Sequence, residues 1–215
     1  MDASSEAMRW PARFVPRGFS TAVTVAAAGV ASLLSSSASA HVGTGLPGGW
    51  VSGFIHPFSG MDHLLAMVSV GLWGAFLGRP LIHVLPVIFP AMMVAGAIMG
   101  MFVVPLPPVE AGIALSVLVL GGCIALSLRA PVWVASLVVA VFAVFHGYAH
   151  GKELPSAADP VPYSAGFVLS TGLLHVSGIG IGLLNGRPKG VVVTRGVGAV
   201  ISALGAWFLY RAIGA

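Results

Sequence analysis

The chain has 215 residues, of which 57% are hydrophobic and 7% carry a charged side chain. A soluble domain has about 25% charged residues, so this composition excludes an ordinary soluble protein and predicts a polytopic membrane protein. The formal net charge is +4, but the basic residues are scattered and lack neighbouring aromatic platforms, which argues against a nucleic-acid partner.

The first forty residues have the three-part layout of a secretory signal peptide. Arg9, Arg13 and Arg17 precede the apolar run "STAVTVAAAGVASLL", which ends in the small-residue pattern "SSSASA". We expect cleavage after Ala40, with an uncleaved first transmembrane helix as the alternative. Cleavage would leave His41 at the N-terminus, where its α-amine and imidazole could chelate a divalent metal together. Alternatively, His41 is only the residue at which processing stops.

Six apolar segments follow, each close to the roughly 20 residues that a helix needs to cross a bilayer. Short breaks rich in Pro and Gly, such as "GRP" and "NGRPKG", separate them and predict tight turns. We therefore predict an all-α fold: a six-helix transmembrane bundle that forms one domain over residues 41–215, after a signal peptide over residues 1–40. The predicted spans cover residues 50–77, 81–104, 109–128, 131–150, 162–184 and 191–213.

The charges of the loops orient this bundle. If the N-terminus is exported, alternate loops face the cytoplasm and hold five basic residues, whereas the periplasmic side holds only Lys152 and Arg211, so the positive-inside rule is satisfied. We expect a multi-pass protein of the bacterial inner membrane, with the lipid bilayer as a partner and both mature termini in the periplasm. The basic residues of the cytoplasmic loops are Arg79, Arg129, Arg187, Lys189 and Arg195.

The stretch "HPFSGMDH" places His56, Asp62 and His63 inside the first predicted span. Ionisable residues at membrane depth are costly and mark functional sites. Pro57 and Gly60 make a regular helix doubtful here, because proline removes a backbone donor and glycine loosens the turn. A broken span exposes backbone groups that must line a polar cavity or lie within protein, as they do at the ion sites of transporters.

Other ionisable side chains lie in the fourth and fifth spans. His146 and His150 have the i, i+4 spacing that places two side chains on one helix face. His175 lies deep in the fifth span, where it is either a metal ligand or a packed histidine bonded to a carbonyl. Glu153 follows Gly151 in a predicted outer loop, as a charge that attracts metal or as an ordinary solvated one.

Imidazoles together with a carboxylate suit first-row divalent metals such as Ni, Co, Zn or Cu(II), and they suit Mg or Ca poorly. Asp62 could bind the metal directly, or it could fix the tautomer of a histidine that does. Protons would compete for the imidazoles, so metal affinity should fall below about pH 6. The candidate metal residues are His41, His56, Asp62, His63, His146, His150, Glu153 and His175.

Long motifs occur in a recognisable order: "HPFSGMDHLLAMVSVGLWGAFLG", "LPVIFPAMMVAGAIMG", "LPPVEAGIALSVLVLG", "FHGYAHGKELP" and "GFVLSTGLLHVSGIGIG". Through them the chain resembles the HupE/UreJ family over essentially all of its mature length. The resemblance implies a permease for nickel, or next for cobalt, that supplies nickel enzymes such as hydrogenase or urease. It also implies a divalent metal ion as substrate, no prosthetic group, and an indirect link to nickel-enzyme maturation proteins. Functional roles carry over to His56, Asp62, His63, His146, His150 and Glu153.

Three questions stay open from the sequence: the alternative of a hydrolase, the coupling of transport and the oligomeric state. The same His/Asp cluster could serve a membrane-embedded zinc hydrolase, since three histidines and a carboxylate around zinc can activate water. The chain has no phosphate-binding loop of the G-x-x-x-x-G-K-[ST] type, so we expect that it does not hydrolyse ATP. The sequence decides neither the coupling of transport nor whether the chain forms a homo-oligomer.

Overall fold

A computed structural model describes residues 49–154, 159–187 and 189–214. The predicted signal peptide over residues 1–40 and the candidate ligand His41 lie outside the described residues. Within those ranges the chain forms seven α-helices and no β-strand, so the predicted all-α class is confirmed. The helices are α1 (Trp50–Ser59), α2 (Met61–Leu77), α3 (Leu81–Met101), α4 (Val109–Ala125), α5 (Val132–Glu153), α6 (Pro160–Gly182) and α7 (Gly190–Gly214); a 3-10 segment, Leu183–Gly186, follows α6.

The helices support a multi-pass membrane protein. Helices α3, α5 and α7, and α6 together with its 3-10 segment, are each long and apolar enough to cross a bilayer, whereas α1 and α2 are so only as one bent span. Helix α4 has 17 residues, slightly fewer than the roughly 20 that cross the hydrocarbon along its normal. The total of six spans and the orientation of the termini therefore stay predictions.

The first predicted span is broken at Gly60, in the stretch where Pro57 and Gly60 made a regular helix doubtful. Helices α1 and α2 meet at 87°, and Gly60 has an extended backbone with φ −104° and ψ 115°. The carbonyl of Gly60 accepts a hydrogen bond of 3.0 Å from the N–H of Leu64, which begins α2. The break puts His56 in the last turn of one helix and His63 in the first turn of the next.

Helix α5 crosses α3 at short range, and glycines make this crossing possible. Gly147 faces the backbone of Met93, and Gly151 faces the backbone of Ala97, so a Cβ at either glycine would overlap α3. Each of these glycines directly follows a histidine of α5. Because the glycine face must lie against α3, the crossing fixes the rotation of α5 and thereby the direction in which its histidines project.

Helices α1 and α2 both pack along α6, while α4 packs along α7. The contact of α1 with α6 is again made by glycines, because Gly53 faces the backbone of Tyr163 and Gly166 faces that of Trp50. The histidines of the broken span are thus held between α6 on one side and α5 on the other.

Candidate metal site

Three side chains at the ends of α1 and α5 form the first group of ligands, which we call the peripheral triad: His56, His150 and Glu153. One ligand atom from each lies within 4.8 Å of the others, a spacing that could hold one metal ion. Oε2 of Glu153 is 3.7 Å from Nε2 of His56 and 3.7 Å from Nδ1 of His150. Two imidazoles and one carboxylate form a ligand set that suits a first-row divalent metal.

The position of Glu153 corrects one expectation. The sequence placed this residue in a loop beyond Gly151, but α5 continues through Gly151 and ends at Glu153 itself. The reason is that Gly151 is needed for contact with α3 and does not end the helix. Glu153 therefore lies one turn beyond His150 on the same face, where its carboxylate reaches both histidines of the triad.

A second group, the buried pair, consists of His63 from α2 and His146 from α5. Their rings meet edge to face, with 4.7 Å between centroids and 85° between planes. The ring of His150 connects the two groups, because its centroid is 5.0 Å from that of His56 and 4.7 Å from that of His63. The four rings thus form a continuous series from α1 to the interior of the bundle.

The exposure of these rings falls steadily along the series. The exposed fraction of the side chain is 19% for His56, 12% for His150 and 6% for His63, and His146 is 0% exposed. The histidines therefore lead from the surface of the bundle into its core.

Asp62 is turned towards the residue that follows it. Its Oδ1 accepts hydrogen bonds from the backbone N–H of His63 at 2.9 Å and from Nδ1 of the same residue at 3.1 Å. A proton on Nδ1 leaves Nε2 of His63 with its lone pair, and this buried nitrogen has no hydrogen-bond partner in the described part of the chain. Metal-binding histidines commonly have this arrangement, in which an acceptor behind the ring fixes the tautomer.

His146 is held by a residue that the sequence did not single out. Nε2 of its ring is 2.9 Å from Oγ of Ser116, which lies in α4 and is 0% exposed. The other ring nitrogen, Nδ1, is buried and has no hydrogen bond to any described residue. Ser116 gave no signal in the sequence, because a serine in an apolar helix is usually satisfied by its own backbone.

His175 does not join the other histidines. It is 1% exposed, and its ring packs edge to face on Phe89, which also contacts His146; the centroid distances are 5.4 and 5.5 Å. The ring of His175 donates a hydrogen bond to the backbone carbonyl of Pro86. That carbonyl is accessible because Pro90, one turn later in α3, has no N–H with which to bond it. Nε2 of His175 has no partner among the described residues.

Aromatic side chains of α6 cover the peripheral triad. The rings of Tyr163 and Phe167 lie 5.8 and 5.9 Å from that of His56, and Phe167 is 4.6 Å from His150. Beside His150 there is a cavity of about 100 Å³, lined mainly by apolar residues of α3 and α6.

Comparison with known proteins identifies the family. The family described as HupE / UreJ protein matches residues 28–208 of this chain. The chain belongs to the HupE/UreJ family. Protein HupE of Rhizobium leguminosarum bv. viciae is 43% identical over 176 residues, which cover 82% of this chain and 92% of that protein. No solved structure has significant similarity to the chain.

Membership of the HupE/UreJ family supports a general role in nickel or cobalt transport. It also makes the chain a transport protein rather than an enzyme, so the alternative of a zinc hydrolase is set aside. The candidate residues His56, Asp62, His63, His146, His150 and Glu153 lie together in the structure, whereas His175 stands apart behind Phe89.

Proposed function

We propose that this member of the HupE/UreJ family carries a divalent transition metal ion, nickel first and cobalt second, across the bacterial inner membrane into the cytoplasm. The observation that supports the proposal most strongly is the series of four imidazole rings whose exposure falls from 19% to 0%. A metal path needs such a series, because each site must bind well enough to take up the ion and weakly enough to release it.

The peripheral triad receives the ion first. The carboxylate of Glu153 attracts the hydrated cation, and His56 and His150 replace part of its water shell. Three protein ligands leave coordination positions to water, so the ion is held without being enclosed. Neutral imidazoles are required for this step, because a protonated ring cannot donate its lone pair.

The ion then moves inwards while it stays bound to His150. The ring of His150 neighbours both His56 and His63, so the ion keeps this ligand while it exchanges the remaining triad ligands for the buried pair. The free ring nitrogens of the pair, Nε2 of His63 and Nδ1 of His146, are buried without hydrogen bonds from described residues. A buried nitrogen without a partner is costly, and a bound metal would remove that cost.

The charges of the site balance those of the ion. Asp62 and Glu153 together supply two negative charges when ionised, which offset the two positive charges of a divalent cation. Since unbalanced charge is expensive in a low-dielectric interior, this balance lowers the barrier to the inward step. Asp62 acts in this scheme by orienting His63 and by its charge, because its Oδ1 already accepts two hydrogen bonds.

His175 is the next ligand on the path beyond the buried pair. Phe89 lies between His175 and His146 and contacts both rings. The tautomer of His175 is set by the Pro86 backbone, so that Nε2 presents a lone pair. A divalent cation moving into a negative-inside cell gains about 4.6 kcal/mol at 100 mV, at about 2.3 kcal/mol per charge. The membrane potential therefore suffices to drive uptake, and the delivered metal would supply nickel enzymes and their maturation proteins.

Uptake of radiolabelled nickel by cells that express the chain tests this function. We expect His63→Ala to abolish uptake above background at equal expression, with cobalt competing against nickel in the wild type. His83→Ala is the matched control, since His83 is an exposed histidine of α3 outside the site. Uptake by His63→Ala at the wild-type rate would exclude the buried pair from the path.

A further inference from the structure

Ser116 connects α4 to the buried pair through its hydroxyl group. Its Oγ lies 2.6 Å from the carbonyl oxygen of Ile113 in the same helix and 2.9 Å from Nε2 of His146 in α5. Both Ser116 and His146 are 0% exposed, so neither group can exchange its partner for solvent.

The single proton of the hydroxyl decides the tautomer of the histidine. A carbonyl can only accept, so the short contact with Ile113 requires Ser116 to donate its proton there. The lone pair of Oγ is then left for His146, whose Nε2 must carry the hydrogen of the second bond. Nδ1 of His146 consequently holds a lone pair in the neutral ring.

The lone pair on Nδ1 of His146 lies close to the other histidine of the buried pair. Nδ1 of His146 is buried without a hydrogen bond from any residue that the structure describes, and the ring of His63 is 4.7 Å away. Asp62 fixes the tautomer of His63 in the same way, so that Nε2 of His63 keeps its lone pair. Each of the two neighbouring imidazoles is therefore fixed by an oxygen acceptor at one ring nitrogen, and its other ring nitrogen has no hydrogen-bond partner among the described residues.

We propose that Ser116 is a positioning residue for metal binding: it holds His146 as the Nε2–H tautomer so that Nδ1 faces the ion. This inference rests on the proposed function, although the tautomer itself is a property of the metal-free protein. Acceptors behind ligating histidines are often carboxylates. A hydroxyl can also fix the tautomer, and it adds no negative charge at this fully buried position.

Ser170 provides a matched control for a merely structural role. It is also 0% exposed, and its Oγ donates to the carbonyl of Phe167, three residues earlier, at 3.2 Å. Among the described residues, Ser170 makes no hydrogen bond to an imidazole. Ser170→Ala therefore removes the same atoms and the same kind of backbone bond as Ser116→Ala, without touching a histidine tautomer.

The tautomer can be read directly in metal-free protein labelled with ¹⁵N at histidine, by long-range ¹H–¹⁵N spectra in detergent micelles. We expect His146, assigned with His146→Gln, to carry its proton on Nε2 in the wild type and in Ser116→Thr. In Ser116→Ala the ring should lose this preference. Nickel affinity, measured by competition with a chromophoric chelator, should fall by about 10- to 100-fold in Ser116→Ala and stay unchanged in Ser170→Ala.

The background of His146→Gln separates positioning from packing. If Ser116 acts through the ring of His146, Ser116→Ala causes no further loss of nickel affinity once that ring is gone. If Ser116→Ala does not fold, Ser116→Thr and Ser116→Val replace it. We expect the wild-type tautomer of His146 and the wild-type nickel affinity in Ser116→Thr, and the loss of both in Ser116→Val.

Specific results would overturn the inference. A wild-type His146 with its proton on Nδ1 contradicts it, and so does a folded Ser116→Ala with wild-type nickel affinity. A wild type with the expected tautomer that neither binds nor transports nickel or cobalt contradicts the proposed function instead, and the assigned tautomer stands.

Discussion

Oδ1 of Asp62 accepts hydrogen bonds from both the backbone N–H and the ring Nδ1 of its neighbour His63, at 2.9 and 3.1 Å. This double contact directly follows the break at Gly60, which frees the first turn of α2 from the direction of α1. The aspartate therefore orients the ring of His63, whereas the sequence alone left open whether Asp62 binds a metal or orients a histidine.

Replacement of Asp62 by asparagine should weaken nickel binding by about 10- to 100-fold with little effect on folding. The amide keeps the size of the side chain but removes its charge, and its NH₂ group can turn towards His63 and favour the wrong tautomer. The measurement is a competition titration with purified protein in detergent.

Asp159→Asn serves as the control for Asp62→Asn, because Asp159 is an exposed carboxylate at the start of α6. It should bind nickel as the wild type does. Equal affinities for Asp62→Asn and Asp159→Asn would show that Asp62 neither orients a ligand nor balances the charge of the ion.

Glu153→Gln should raise the KM for nickel uptake by about tenfold or more and change the maximal rate much less. We propose that Glu153, as part of the peripheral triad, acts on metal capture, and high external metal should compensate for weaker capture. Initial uptake rates over a range of nickel concentrations separate the two parameters. A loss confined to the maximal rate would place Glu153 in the translocation step and not at the point of capture.

His175→Gln should separate binding from transport. Because His175 contacts Phe89 and none of the other histidine rings in the described chain, nickel affinity in detergent should stay close to that of the wild type. Uptake should fall by about tenfold or more, since the next ligand on the path is missing. His83→Gln is the control for loss of an imidazole. Uptake by His175→Gln at the wild-type rate would show that His175 only packs in the core and does not bind the ion.

Local pattern in the sequence predicted much of this arrangement. Pro57 and Gly60 indicated a break, the spacing of His146 and His150 placed them on one face, and all six apolar segments contain helices close to the predicted bounds. These features follow from backbone chemistry and helical periodicity, which depend only on residues close together in the sequence.

Other features depend on contacts between distant segments and left no local signal. In the sequence Ser116 is an ordinary serine of an apolar helix; its role depends on α5, which places Nε2 of His146 2.9 Å from its Oγ. Glu153 was expected in an outer loop beyond Gly151, but α5 continues through Gly151, which packs against α3. The separation of His175 arises because Phe89 of α3 takes the space beside it.

Gly147→Ala should destabilise the bundle, whereas Gly180→Ala should not. A Cβ at position 147 would overlap the backbone of Met93, while nothing lies within 4 Å of the same atom at Gly180. Overpacking typically costs about 1–3 kcal/mol, and alanine in an open helical position gains about 1 kcal/mol over glycine. Thermal unfolding in detergent compares the two variants; equal melting temperatures would contradict the close crossing of α3 and α5.

The N-terminus of the mature protein should begin at His41. The small-residue pattern before this position is typical of a cleavage site, so sequencing of the purified chain should read HVGTG. If the sequencing instead finds Met1, the first apolar run is retained in the protein. In that case His41 has no free α-amine with which to bind a metal.

Nickel flux into proteoliposomes tests the central claim most directly. Wild-type protein, with an inside-negative potential and no other energy source, should take up nickel, with cobalt competing. His63→Ala and His146→Ala should leave only background leak, while His83→Ala should match the wild type. Wild-type flux in proteoliposomes that contain either site variant would contradict the account, because the ion would then cross without the buried pair.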